Sequence, residues 1–131
     1  MSDQKVEITL PDNWHDIIVV DGVHKHLPGI YEWQIEGRGS YIGKYTHISR
    51  PLKEYGRNVT KIVNGRPYRP ANPDGFRYIH RELHAAHREC RKITLIILEN
   101  GEPTQLGRRE AELIAERGNL NNPPFGRRKP A

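Results

Sequence analysis

The sequence predicts one small domain of mixed α/β (α+β) class, a three-stranded central sheet flanked by helices. Three observations carry that prediction. The hydrophobic pattern alternates before about residue 50, turns helical after it, and becomes a β-branched apolar run at Lys92–Leu98. Gly37-Arg38-Gly39 separates two β-rich runs, the signature of a hairpin. At 131 residues there is room for one domain with a modest core. The elements run strand, strand, helix, helix, strand, helix over residues 27–122, after an N-terminal β extension (1–26) and before a basic tail (123–131).

The extension contains an alternating stretch, Val6, Ile8 and Leu10, and an apolar run, Ile17 to Val20. Both read as short strands joined by a Pro11-Asp12-Asn13 turn. The hairpin strands fall at roughly 29–36 and 40–46. From about residue 50, Leu52, Tyr55, Val59 and Ile62 recur at helical spacing, with Arg50, Lys53, Arg57 and Lys61 on the opposite face. Gly65-Arg66-Pro67 ends this helix. A second helix is expected over 76–91, with Phe76, Ile79, Leu83, Ala86 and Cys90 as its buried stripe. Lys92 to Leu98 reads as a central strand buried on both faces. The last helix is expected over 104–117, stopping at Gly118 as its C-cap.

Composition narrows the function classes. Hydrophobic residues make up 35% of the chain and charged residues 28%, and no run approaches the roughly 18 apolar residues of a membrane span. The start has no basic-then-apolar signal segment, and Cys90 is the lone cysteine. Both point to the reducing cytoplasm. A net charge of +5, with seven histidines in reserve, favours phosphate-bearing partners through counterion release.

Chemistry-bearing residues stand at four places. On the last helix Leu106, Leu113 and Ile114 define the inward face, and Glu110 lies among them. A carboxylate there needs a salt bridge or a cation. In the hairpin, alternation puts Tyr31 and Tyr41 on one sheet face, adjacent across the two strands. Two phenols so placed are ordinarily packing residues. Arg50, directly before Pro51, is held at a helix entrance. On the second helix His80, His84, His87 and Arg91 form a stripe that either shares a Zn²⁺ or presents a polar face to nucleic acid or solvent.

Gly29-Ile30-Tyr31 and Tyr41-Ile42-Gly43, with nine residues between the two tyrosines, resemble the defining pair of the GIY-YIG nuclease family. Arg50 resembles the arginine that members carry at the start of the following helix, one position before its usual place, where Pro51 stands. Glu110-Ala111-Glu112-Leu113-Ile114 is similar to the family's metal-binding Glu-x-x-Leu-Ile. Asn121 and Asn122 match its closing asparagine. The likeness covers about residues 27–122 and includes the order of elements.

The resemblance implies a metal-dependent endonuclease hydrolysing DNA by a single-metal mechanism. Tyr31 would be the general base with Tyr41 in its hydrogen-bond network, Arg50 would clamp phosphate, and Glu110 would hold Mg²⁺ or Mn²⁺. Lys44, His47, Asn121 and Asn122 are supporting candidates. Family members place a histidine or tyrosine one turn past the arginine. Tyr55 stands five residues on, on the apolar face, and counts with the core. Lys53, Arg57 and Lys61, with the tail Arg127-Arg128-Lys129, would contact the nucleic-acid backbone. The alternative is a non-catalytic nucleic-acid-binding module that keeps the nuclease fold.

Overall fold

The computed structural model describes residues 7–121. Its element order is β1 (Asp16–Val19), β2 (Gly29–Ile35), β3 (Gly39–Tyr45), a π-turn (Arg50–Glu54), α1 (Tyr55–Val63), α2 (Tyr78–Arg88), β4 (Ile93–Asn100) and α3 (Pro103–Arg117). The strands form one mixed sheet in the order β1-β4-β2-β3. The α+β class is therefore the expected one, but the sheet has four strands rather than three. The apolar run Ile17 to Val20 does not stay in a separate extension. Its residues pair parallel with β4, Ile17 opposite Leu95 and Val19 opposite Ile97.

The other strand expected in the extension does not form among the described residues. The main-chain N–H and C=O of Ile8 bond instead to the Asn64 side chain, both at 2.8 Å. That amide supplies the donor and acceptor a neighbouring strand would have offered. Val6 lies outside the described residues.

The β2–β3 hairpin forms as expected, pairing Ile35 with Gly39 and Tyr31 with Gly43, and closes through Gly37 and Gly39 at φ +76° and +130°, where an L side chain would be strained. β4 lies between β1 and β2, as its apolar run requires. Alternation then divides the core. Tyr31, Trp33, Ile35, Leu95 and Ile97 lie beneath α1 and α2 with Tyr55, Val59, Ile79, Leu83 and Ala86. Ile30 and Ile42, on the other face, meet Leu106 and Leu113 of α3. Also on that face is Glu32, whose buried carboxylate pairs with Arg117 at 2.9 Å and accepts from Gln34.

Helix α2 is shorter than its pattern suggests. Phe76 precedes it, and Cys90 lies beyond its end, exposed and at φ +60°, so neither joins the buried stripe. His80 takes a place in that stripe instead and is 2% exposed. Helix α3 ends at Gly118 as expected, but for a different reason. Its φ is −88°, and a Cβ there would lie 2.6 Å from Asn121 Oδ1 and 2.9 Å from Ile114 Cα. Close approach, not left-handed backbone, requires the glycine. Among the described residues no helix is long and apolar enough to cross a membrane.

Candidate active site

Tyrosines from three segments converge beneath α1 and α2. Tyr31 lies opposite Gly43 and Tyr41 opposite Trp33, so both phenols share one sheet face, diagonal to each other. Tyr55 enters from α1 beside both, its ring centroid 5.7 Å from that of Tyr31 and 6.4 Å from that of Tyr41. The Tyr31 and Tyr55 hydroxyls are hydrogen-bonded. Gly43 makes this possible, because a Cβ there would overlap the end of the Tyr31 ring.

Two arginines face the phenols. Arg77 precedes the first residue of α2 with extended backbone (φ −75°, ψ 163°). Its Nη1 donates to the Tyr41 hydroxyl at 3.0 Å and its Nη2 to the Tyr55 hydroxyl at 3.1 Å. His80 anchors Arg77 from behind, its Nδ1 accepting the Arg77 N–H at 3.0 Å. With Nδ1 an acceptor, the ring proton sits on Nε2, which is 3.3 Å from the Asn58 amide. The Asn58 oxygen then faces it, the amide orientation being set by the network. Burial and the neighbouring Arg77, Arg50 and Arg81 charges pull the His80 imidazole down to about 3, so it is neutral.

Arg50 reaches the same cluster through an irregular turn. At ordinary helical spacing it falls on the face away from Tyr55. The helix, however, begins with the π-turn Arg50–Glu54. There i→i+5 bonding replaces i→i+4 and brings residues five apart onto one side. Arg50 consequently acts electrostatically on Tyr31, Tyr55 and Glu110, while its Nη1 lies 3.5 Å from Glu54.

The carboxylate arrives around the free edge of β3. The main-chain groups of Ser40, Ile42 and Lys44 point outward there, away from β2. Asn119 accepts from Ser40 N–H and donates to Arg38 C=O. Asn121 accepts from Ile42 N–H at 2.8 Å and donates to Ile42 C=O at 2.9 Å. Leu120 N–H donates to Ser40 C=O. Glu110 lies next along this edge, where the Lys44 main chain helps to lower its carboxyl. Its carboxylate therefore sits at the strand edge, near Tyr41 and under the charges of Lys44, Arg50 and Arg77.

Burial dominates the electrostatics. It pushes the Tyr31 phenol up to about 12, against the pull of its Tyr55 hydrogen bond and of Arg50 and Arg77. Tyr41 and Tyr55 are raised further, again chiefly by burial. All three are protonated at neutral pH. Burial also raises the Glu110 carboxyl, while Lys44, Arg50 and Arg77 draw it down. In the salt bridges formed by described residues, α3 contributes Arg108, Arg109, Glu112 and Arg117 but not Glu110.

Tyr31, Tyr41, Arg50, Lys44 and Glu110 thus come together, with Asn121 acting on the backbone beside them. His47 does not join them. It is exposed, and its Nδ1 is occupied by Ser49. Asn122 and the tail arginines and lysine lie outside the described residues. The basic stripe of the first helix is only partly free: Lys53 and Arg57 are exposed, Arg50 is exposed but lies beside Glu54 and the phenols, and Lys61 Nζ donates to Tyr68 C=O at 2.9 Å. Among the described residues no group of His, Cys, Asp and Glu side chains could enclose a Zn²⁺, because His80 points into the core.

Tyr55, Arg77 and Asn119 were not singled out by sequence reasoning. Tyr55 read as a core residue on the face away from Arg50, and the π-turn is what brings the two together. Nothing local marks Arg77, which precedes a helix like many arginines. No protein-family model matches the chain, and neither the curated proteins nor the solved structures contain a match to it.

Proposed function

We propose that the chain is a GIY-YIG-type endonuclease that hydrolyses DNA phosphodiester bonds with a divalent metal ion. One observation carries the reading. Tyr31, Tyr41, Tyr55, Arg50 and Arg77 from four separate segments converge with one half-buried carboxylate, Glu110, at the edge of β3. Packing alone does not account for two guanidinium groups beside these phenols and a carboxylate that forms no ion pair among the described residues.

The residues fit the implied metal in a specific way. Glu110 is half-buried and, among the described residues, outside every salt bridge, so its carboxylate would hold the cation. A single carboxylate suits Mg²⁺ or Mn²⁺, which keep several waters, and does not suit Zn²⁺. Lys44, Arg50 and Arg77 oppose a cation bound alone, so it is held together with phosphate rather than as a resident ion. When bound, it supplies charge neutralisation at phosphate oxygen and acidifies water.

The chain's own groups do the rest. Arg50 and Arg77 bind phosphate oxygens through forked N–H donors and stabilise the charge of the pentavalent transition state. Tyr41 and Tyr55, fixed by Arg77, present their hydroxyls as hydrogen-bond donors. Tyr31 is the base in this reading, although burial holds its phenol at about 12 in the resting protein. The positive charge of Arg50 and Arg77, with that of a bound metal, would have to draw it down so that its proton leaves to solvent before it takes one from water. A nicking assay on supercoiled plasmid with Mg²⁺, beside a Glu110→Ala control and single-stranded DNA and RNA substrates, tests the proposal. Binding without cleavage under all metal conditions would favour the non-catalytic module.

A further inference from the structure

The two edges of the sheet are built in opposite ways. The β3 edge is closed by Asn119, Leu120 and Asn121. The β1 edge has no such cover among the described residues. Val20 N–H donates to Ile97 C=O at 3.1 Å, and Val19 lies opposite Ile97. This register turns the main-chain groups of Asp16, Ile18 and Val20 toward β4 and those of Ile17 and Val19 outward. The side chains are uncovered as well: Ile17 is 51% exposed, Ile18 50%, Val19 37% and Val20 40%. Edge strands are ordinarily guarded by lysine, proline or a bulge, and β1 has none of these.

We propose that two copies of the chain pair along this edge, β1 antiparallel to β1 about a two-fold axis at Ile18, making one continuous eight-stranded sheet. Main-chain geometry selects the register. Outward-facing residues must meet outward-facing residues, so Ile17 of one copy pairs with Val19 of the second, and Val19 with Ile17. A shift of one residue, which would set Asp16 against Asp21, matches outward groups with inward ones and forms no ladder. Registers centred on Ile17 or Val19 form one hydrogen-bonded pair within β1 and draw the rest from His15 or Asp21, outside the strand. The Ile18-centred register forms two such pairs from β1 alone. It places Ile18 against Ile18, stacks β-branched side chains on both faces, and sets His15 opposite Asp21 at each end. The chain is thus self-complementary, as a two-fold interface requires. The seam is short, so the dimer dissociates on dilution.

Sedimentation equilibrium of the full chain over a wide concentration range reads this out without reference to nuclease activity. The wild type is expected to show a reversible monomer–dimer equilibrium. Ile18→Lys and Ile18→Glu each set like charges against themselves across the axis, and each alone should be monomeric. An equimolar mixture of the two should dimerise again. Val19→Pro removes an outward N–H without touching the ladder to β4 and should also be monomeric. Circular dichroism melts establish that each variant is folded. A wild-type chain monomeric at its highest soluble concentration overturns the proposal, its edge then covered by its own ends or left to a different partner. So does a dimer that survives Ile18→Lys, or a mixture of charge variants that stays monomeric.

Discussion

Tyr31 keeps its place because Gly43 has no side chain. Replacing Gly43 with Ala forces a fully buried phenol to move, and an overpacked site of this kind costs about 1–3 kcal/mol. Urea unfolding of Gly43→Ala should show that loss together with a fall in cleavage. Glu110→Ala and Tyr31→Phe are expected to abolish cleavage of supercoiled plasmid while the thermal melt stays close to wild type. Full activity in either purified variant would sink the proposed mechanism. His80 carries a pH signature. The folded protein holds it neutral down to about 3, whereas the unfolded chain takes up a proton near 6.5. Its contribution is full above 6.5 and declines as pH falls below that value. Urea midpoints should therefore drop from pH 7 to pH 5, less steeply in His80→Gln. A residual slope is expected there, because His15 and His84 are lowered in the same direction.

Among the elements, the first helix and the β3 edge position the site. A periodicity argument assumes a regular helix, and on that assumption Arg50 and Tyr55 lie on different faces. The π-turn breaks the assumption and unites them. No run of residue types announces it. The β3 edge shows the reverse case. Asn121 was a supporting candidate only through the family resemblance, beside Asn122. Its work, satisfying both main-chain groups of Ile42 beside Tyr41, depends on where the chain turns after Gly118. Asn121→Ala leaves those groups unpaired and should cost about 1–3 kcal/mol in urea unfolding. Because Tyr41 is the next residue, turnover should fall more than DNA binding does.

For the whole molecule, charge is the property that composition reports and structure redistributes. The net +5 is real, but Arg77 is tied to the Tyr41 and Tyr55 hydroxyls, Arg50 lies beside Glu54, and Lys61 is held by a carbonyl. Lys53 and Arg57 remain outward on the first helix. Replacing both with Ala should weaken DNA binding across all sequences and lower the salt slope of the affinity by about one for each lost phosphate contact. EDTA should stop cleavage and spare most of the binding, since Arg50 and Arg77 engage phosphate directly. The sequence by itself determined the class of fold, the hairpin, the buried central strand and one residue whose place needed explaining, Glu110, while Tyr31, Tyr41 and Arg50 were marked through the family resemblance. The former follow from local periodicity and from the cost of placing a charge on an apolar face. Only the tertiary structure decided that Ile17 to Val20 joins the sheet, that His80 belongs to the core, and that Arg77 and Tyr55 complete the cluster. Each of these rests on contacts between segments far apart in the chain, where burial and hydrogen bonding are settled by what arrives from elsewhere.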